Sequence, residues 1–595
     1  MQLFLAYKFI KEIDEADLAV RRKRVEDYYY SPSDGLKGAG ELERYESKLE
    51  NIGLNFWQSS IEKYYFIPWQ ENEEFASCFT YAPNGWEQIV EPSSATTEIP
   101  LLFAREIKKN PGIIKKMTPP LIFSFLDKDK KEINIFNDSL GMAKLYELQT
   151  SEGVVYSNKL AALYLFMNKK AEMDIHAWNV FSSVGWFMGN TSPLKGSFRV
   201  KPGTMIKLRN DRNQPKSVSQ LDGLPTWVSP RELNKDAFES EVQNIIESTR
   251  SYFKMFNFPV KSMLSGGRDS RVSSAILYKS GIDATFRTLG PITGEIETAK
   301  ELIRLAGLWD KHEIDNPAEG ASKREITVLL EERLKLLHFA YDGDFTPIKQ
   351  KGMIHLVDFY KVKGVSCVGA GGEIATGNYY SNQRIYESIL EKGEEGSEWR
   401  LKRYLASLGD TKEGISEAVD QEVSAILEEG RQFGLQGLSL MDYFYLKERL
   451  RRWAPIGGQF NSFTPFATPG FIRLSFDLTP EQRRNYELHK MLLKYLMPTW
   501  ADVPFFKADI KKQQRDEVAQ SQMRIWQTLD KEYVADVLEN NSIWKMFYRP
   551  EETLELWSNA VTDGVVGRYE ALFQRIVWIA SFENHLNSIN KVIAN

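Results

Sequence analysis

The run Ser265-Gly266-Gly267-Arg268-Asp269-Ser270 has the residue types and spacing in this chain best suited to chemistry. Two adjacent glycines let a backbone turn tightly and come close to a ligand, because no Cβ intervenes. A helix after such a turn adds unpaired N–H groups and the positive end of its dipole. The combination suits an anion, above all a phosphate chain; the bland alternative is a tight structural turn. The other common phosphate loop, G-x-x-x-x-G-K-[ST], is absent together with its lysine, and no G-x-G-x-x-G string follows a strand. A second string of similar character, Gly369-Ala370-Gly371-Gly372-Glu373, follows the apolar Val365-Ser366-Cys367-Val368 and ends in a carboxylate. A nucleotide arrives as its magnesium complex, and Mg²⁺ is held by one or two carboxylates plus phosphate oxygens. Asp269 and Glu373 are the candidates, although Glu373 also reads as a carboxylate stabilised at a helix N-terminus. Cys367 lies within an apolar strand and reads as core rather than nucleophile.

The elements that must position these strings follow from periodicity. Residues 259–264 read as a buried strand, and Val272, Ala275 and Ile276 recur at helical spacing until Gly281. A helix over 238–253 precedes them. A strand over 284–289, a helix over 295–305 stopped by Gly307, and a strand over 309–314 follow. Alternation of this kind predicts parallel βαβ units, with both glycine turns opening at the same sheet edge. The first half reads mainly as β structure, with short strands at 121–125, 133–136 and 144–148 and a turn feeding a strand over 200–208. Residues 210–230 read as the linker, and the chain beyond Leu438 as mostly helical. Two domains are therefore expected, residues 1–210 and 231–595.

A chain of 595 residues is long for one core, and 42% hydrophobic content is ample for packed interiors. A net charge of -5 argues against a general nucleic-acid footprint. Two cysteines, Cys78 and Cys367, exclude a disulfide framework and fit a reducing compartment. The opening Met1-Gln2-Leu3-Phe4-Leu5 lacks the basic start of a signal peptide, and no apolar run is long enough for a bilayer span. A cytoplasmic protein with no membrane or nucleic-acid partner is expected.

The S-G-G-x-D-S string resembles the pyrophosphate loop of the ATP pyrophosphatase superfamily, and much of the chain is similar to the asparagine-synthetase-like family. Thr285-Phe286-Arg287-Thr288-Leu289-Gly290 resembles that family's adenine-contacting strand, and 369–373 its second glycine-acid loop. Thr464-Pro465-Phe466-Ala467-Thr468-Pro469-Gly470-Phe471 resembles its V-P-F-L-D segment. Tyr486-Glu487-Leu488-His489-Lys490-Met491-Leu492-Leu493-Lys494 resembles the helix whose lysine steadies charge on the reacting phosphate. By composition alone that lysine, Lys490, is an ordinary exposed helix cation. The resemblance implies an α/β fold: an N-terminal Ntn-hydrolase-like αββα sandwich, then a doubly wound parallel-sheet ATP pyrophosphatase domain with a helical C-terminal region. It implies ATP contacts at Leu264, Ser265, Gly266, Gly267, Asp269, Ser270, Thr288, Gly369, Ala370, Gly371 and Gly372. Mg²⁺ would be held at Asp269 and Glu373, and Lys490 and Glu373 would be catalytic.

In the first half, Asn137-Asp138-Ser139-Leu140-Gly141-Met142-Ala143-Lys144-Leu145-Tyr146 is similar to the R-D-x-x-G-x-x-P-L-Y turn of glutamine amidotransferase domains. Tyr156-Ser157-Asn158-Lys159-Leu160 and Lys201-Pro202-Gly203 fit the same domain. Departures matter as much. A working glutaminase of this family carries a cysteine at its mature N-terminus, where this chain has Gln2, and the family's other glutamine-site stretches are missing. The second glycine loop is one residue short and lacks an internal glutamate, so Glu373 is left with the metal role, the base role, or both. The resemblance then implies an ATP-dependent ligase, forming AMP and pyrophosphate, that adenylates a substrate carboxylate and joins it to a substrate amine. Lasso-peptide cyclases and β-lactam synthetases are the relatives most similar in kind, with a precursor peptide as substrate and a protease as partner. The alternatives are an asparagine-synthase-like amidotransferase fed by ammonia or a partner glutaminase, and a non-catalytic nucleotide- or peptide-binding scaffold.

Overall fold

The computed structural model describes residues 2–30, 42–59, 68–80, 85–86, 89, 98–210, 216–221, 223–256, 258–290, 292–315, 329–344, 364–406, 411–453, 462–506, 524–563 and 568–595. Its strands run β1 (Leu3–Phe9), β2 (Leu42–Leu49), β3 (Ile52–Ser59), β4 (Trp69–Glu71), β5 (Phe75–Phe79), β6 (Ile122–Asp127), β7 (Glu132–Asn137), β8 (Tyr146–Gln149), β9 (Gly153–Ser157), β10 (Ser197–Arg199), β11 (Thr204–Arg209) and β12 (Lys216–Gln220) in the first half. They form two antiparallel sheets, β10-β8-β9-β1-β3-β2 and β12-β11-β7-β6-β5-β4.

Period-two alternation builds the sandwich. On β1, Phe4 and Ala6 face the second sheet and meet Ile133, Ile135, Ile206 and Leu208, while Leu3, Leu5, Tyr7 and Phe9 face helices. The helices Glu15–Tyr30 and Leu160–Met167 cover that outer face, and Ile99–Lys109 covers the outer face of the second sheet through Phe103 and Ile107. The result is the expected αββα sandwich. Its 137–146 turn is organised by the buried Asp138 carboxyl, which accepts the N–H groups of Leu140, Met142, Ala143 and Leu121 at 2.9–3.2 Å. The stretch read as linker is partly structured: β12 extends the second sheet and the helix Leu224–Val228 follows, whereas residues 211–215 and 222 lie outside the described residues.

The second half is built on a parallel sheet in the order β15-β14-β13-β16-β17, with β13 (Val260–Met263) central, β14 (Ala284–Leu289) and β15 (His312–Asp315) on one side, β16 (Val365–Cys367) and β17 (Ser462–Phe463) on the other. The helices Lys235–Lys254, Arg268–Lys279 and Thr293–Ala306 pack their apolar stripes together, with Val242, Ile245, Val272, Ile276, Leu302 and Ile303 in one core. The strand expected over 309–314 starts later, after a short 3₁₀ turn at Trp309–Lys311. The remainder is mostly helical, as its periodicity predicts. The long helix Arg568–Ala594 returns to the sandwich, where Phe573, Ile576, Trp578 and Phe582 join the core over β1. Among the described residues no helix is long and apolar enough to cross a membrane.

Candidate active site

β13 ends at Met263, and the chain turns through 264–267 into the helix Arg268–Lys279. The turn is held by its own hydroxyls. Ser270 Oγ accepts the Ser265 N–H at 3.1 Å, the two serine Oγ atoms lie 2.9 Å apart, and Ser265 Oγ accepts the Gly267 N–H at 3.1 Å. Leu264 is buried and donates its N–H to the Arg287 carbonyl at 2.9 Å. Thr288 is buried too, its hydroxyl donating to the Leu264 carbonyl and meeting His312 Nε2, each at 2.9 Å. Its side chain therefore braces the start of the loop.

The second glycine turn leaves the neighbouring strand β16, so both loops open at the carboxyl edge of the sheet. They are in contact. A Cβ on Gly369 would lie 2.9 Å from the Ser270 backbone nitrogen, and one on Gly372 would lie 2.2 Å from Asp269 Oδ1. Glycine at these two positions is a requirement of close approach. Ala370 lies between them, its carbonyl accepting the Thr464 hydroxyl at 2.7 Å, and Gly371 takes a φ of 97°.

This contact sets two carboxyl groups against each other. Glu373 Oε2 accepts the Tyr445 hydroxyl at 2.9 Å and the Gly371 N–H at 3.2 Å. Burial, and after it the negative charge of Asp269, raises the Glu373 carboxyl above its ordinary value, against the opposing pull of those hydrogen bonds. Asp269 Oδ1 accepts from His489 Nε2 at 2.8 Å, and His489 is fully buried with no partner at Nδ1. Lys490, one residue on, is 54% exposed and lies 3.2 Å from Glu487. The structure thus gathers Asp269, Glu373, His489 and Tyr445 and puts Lys490 on a different face of the helix Glu487–Leu496.

His489 and Tyr445 are the site residues that sequence reasoning missed. His489 had a signal: it stands among Leu488, Leu492 and Leu493 on the buried face, and a lone imidazole there needs a partner. A further missed residue is Arg271, fully buried on the loop helix. Its guanidinium donates to the carbonyls of Trp500 (3.2 Å), Val503 (2.5 Å), Gly266 (3.3 Å) and Pro504 (3.1 Å) and lies over the Phe505 ring. Burial lowers its pKa to about 10. Phe506 donates its N–H to the Gly266 carbonyl at 3.0 Å, so segment 500–506 is strapped across the first glycine loop.

Among the described residues no group of three or more His, Cys, Asp and Glu side chains is arranged to hold a metal ion. Asp269 and Glu373 are a two-carboxylate set, which matches the protein share of a magnesium–phosphate site. Their mutual repulsion is what a divalent cation relieves, so the residues fit that group.

Gln2 is buried, and among the described residues neither its amide nitrogen nor its amide oxygen has a hydrogen-bond partner. Cys78 and Cys367 are both buried, and burial pushes both thiols well above their ordinary value, away from the thiolate.

No protein-family model matches the chain, and no curated protein matches it. Among solved structures, the chain is similar over 53% of its length to the glutamine phosphoribosylpyrophosphate (PRPP) amidotransferase from B. subtilis complexed with ADP and GMP, at 10% identity and a TM-score of 0.24. It is similar over 48% of its length to the allosteric regulatory enzyme of purine biosynthesis, at 10% identity and a TM-score of 0.23. The chain spans 65% and 64% of the length of those two structures. At such scores neither likeness bears on what this chain does.

Proposed function

We propose that the chain is an enzyme, an ATP-dependent ligase that adenylates a substrate carboxylate and joins it to an amine of the substrate, closing a macrolactam-like ring without hydrolysing glutamine. The observation that carries this reading is the contact between the two glycine loops, which sets Asp269 beside Glu373 at the N-terminus of the loop helix. In the reaction a carboxylate oxygen attacks the α-phosphorus of ATP, the bond to the β-phosphate breaks, and pyrophosphate leaves. The amine nitrogen then attacks the acyl carbon, AMP leaves, and the amine proton passes to a base, the role this reading gives to Glu373. The loop amides and the helix N-terminus stabilise negative charge on the leaving pyrophosphate. Asp269 and Glu373 would hold magnesium, which would supply charge neutralisation on the phosphates. His489 holds the Asp269 carboxylate in place, and Tyr445 holds that of Glu373.

The burial of Cys78 and Cys367 supports an amine source other than glutamine split by a cysteine of this chain. Lys490 keeps its implied role only if its exposed side chain leaves Glu487 and swings toward the phosphates. The test is pyrophosphate release from ATP across a panel of carboxylate peptides, with product masses read alongside. Release accompanied by the loss of one water from the peptide is the expected result. Glutamine-dependent ammonia release by the purified chain, or ATP consumed with ADP as the product, sinks the proposal.

A further inference from the structure

A cavity of about 1140 Å³ lies between the sandwich and the helical region, away from both glycine loops, none of whose residues line it. Its floor carries two carboxyl groups. Glu448, on the wide helix Tyr445–Trp453, is fully buried; one oxygen accepts the Gly189 N–H at 3.0 Å, and the other has no hydrogen-bond partner among the described residues. Glu422, from the helix Ile415–Gln432, packs so tightly against Gly189 that a Cβ there would lie 2.2 Å from its Oε2. Gly189 has a φ of 56°, and with no side chain it lets both carboxyl groups converge.

Arg451, Arg452 and His176 act on these carboxyls only through space, and the arginines make their hydrogen bonds elsewhere. Arg451 donates to the Gly189 and Val200 carbonyls and to Asn190, Arg452 pairs with Asp344, and Lys447 pairs with Glu429. Arg199 donates to the Gly141 carbonyl, and Lys201 and His176 line the cavity without reaching ion-pair distance of either glutamate. Burial, opposed by Arg452 and Arg451, brings the Glu448 carboxyl up to about 7, and the charge of Glu422 adds to the rise. Apolar side chains stand on the walls: Ile206, Ile426, Phe433, and the outward-facing Phe198 and Val218, which are 46% and 56% exposed. Those two residues leave large apolar area in water on strands whose neighbours are polar, which is ordinary for the mouth of a ligand site.

We propose that this cavity is a binding site for a primary amine carried on an apolar body, the ammonium seated between Glu448 and Glu422 and the body against Phe198, Val218 and Phe433. An ammonium has three donors, enough for the unpartnered Glu448 oxygen and for Glu422. The site does not depend on the glycine loops, so its failure and the failure of the ligase reading are separable.

The test is calorimetric titration of the full chain with 2-phenylethylamine, 2-phenylethanol and phenylacetate. Saturable amine binding at least tenfold tighter than that of the alcohol, with no binding of the acid, is expected. Glu448→Gln should weaken the amine at least tenfold and leave the alcohol unchanged. Phe198→Arg, a change at an exposed position, should weaken both. Absence of saturable amine binding, equal affinity for amine and alcohol, or amine binding undiminished by Phe198→Arg overturns the proposal. Should Glu448→Gln not fold, the amine-to-alcohol ratio in the unaltered chain and the Phe198→Arg result still decide it.

Discussion

Two buried carboxyl settings in this protein have opposite surroundings. Asp344 lies where the halves meet, 3.0 Å from Lys144, 3.1 Å from Arg452, 3.7 Å from Arg199 and 3.0 Å from the Tyr146 hydroxyl. Burial alone would raise it, but the three cations hold it down at about 2. Glu373 is buried beside another carboxylate, with the Tyr445 hydroxyl and the backbone N–H groups of Gly371 and Glu373 itself as donors and no paired cation among the described residues, and it is held up. A carboxylate ringed by cations is a clamp, complete without any ligand. One that faces a second carboxylate at the open end of a sheet is pushed toward its neutral form, the setting that the proposed cation would reverse.

The largest effect separating the two is expected from Asp344→Asn. It removes the carboxylate that the buried Arg199 and Arg452 and the half-buried Lys144 share, and removing one partner of such a group costs about 3–5 kcal/mol. Urea unfolding should show that loss as a lower midpoint. A loss below about 1 kcal/mol would show that the clamp is not structural. Asp269→Asn makes the converse change. The loop geometry stays, the His489 contact weakens, and pyrophosphate release should fall by about 100-fold or more, the scale of losing one charge-stabilising group. Its thermal midpoint should move by only a few degrees. Near-normal turnover would remove Asp269 from the site.

Acid unfolding tests the same contrast on a smaller scale. The folded pKa of Asp344 is depressed from 3.8 to about 2, so its contribution is complete above pH 3.8 and is lost as pH falls through 2. At 1.36 kcal/mol per unit the contribution is about 2 kcal/mol. Stability measured at pH 5 and at pH 2.5 should therefore drop less in Asp344→Asn than in the unaltered chain. An equal drop in both assigns the acid lability to other carboxylates.

The βαβ run over 260–306 was legible because apolar strands, helical spacing and stop glycines agree at every step. β12 was not: Lys216-Ser217-Val218-Ser219-Gln220 carries one apolar residue, so nothing alternates, and pairing with β11 alone makes it a strand. In the site, glycines 369 and 372 were legible as a turn, whereas the reason for them, contact with Ser270 and Asp269, exists only once β13 and β16 are neighbours. The family resemblance directed attention to Lys490, and the inward residue proves to be its neighbour. Successive helix positions are rotated by about 100°, so His489 and Lys490 cannot share a face. Arg271 was hidden by its type, since an arginine on an apolar stripe is unreadable until the carbonyls of 500–504 converge on it.

The finest test of the contrast is Tyr445→Phe. The tyrosine hydroxyl is one of two donors to Glu373 Oε2, and a hydrogen bond to a charged group contributes about 1.5–3 kcal/mol. Removing it takes away an interaction that favours the ionised form, so the Glu373 pKa, already raised, moves higher. The proposed base must be ionised. The acid limb of the rate profile should therefore shift toward higher pH by about one unit, with the rate on the alkaline plateau reduced less than tenfold. The same substitution leaves Asp344 and its cations untouched, so the drop in stability between pH 5 and pH 2.5 should stay as in the unaltered chain. A rate lowered evenly at every pH would take Glu373 out of the proton transfer and leave it as a metal-holding carboxylate, which is how the two roles open to it can be told apart.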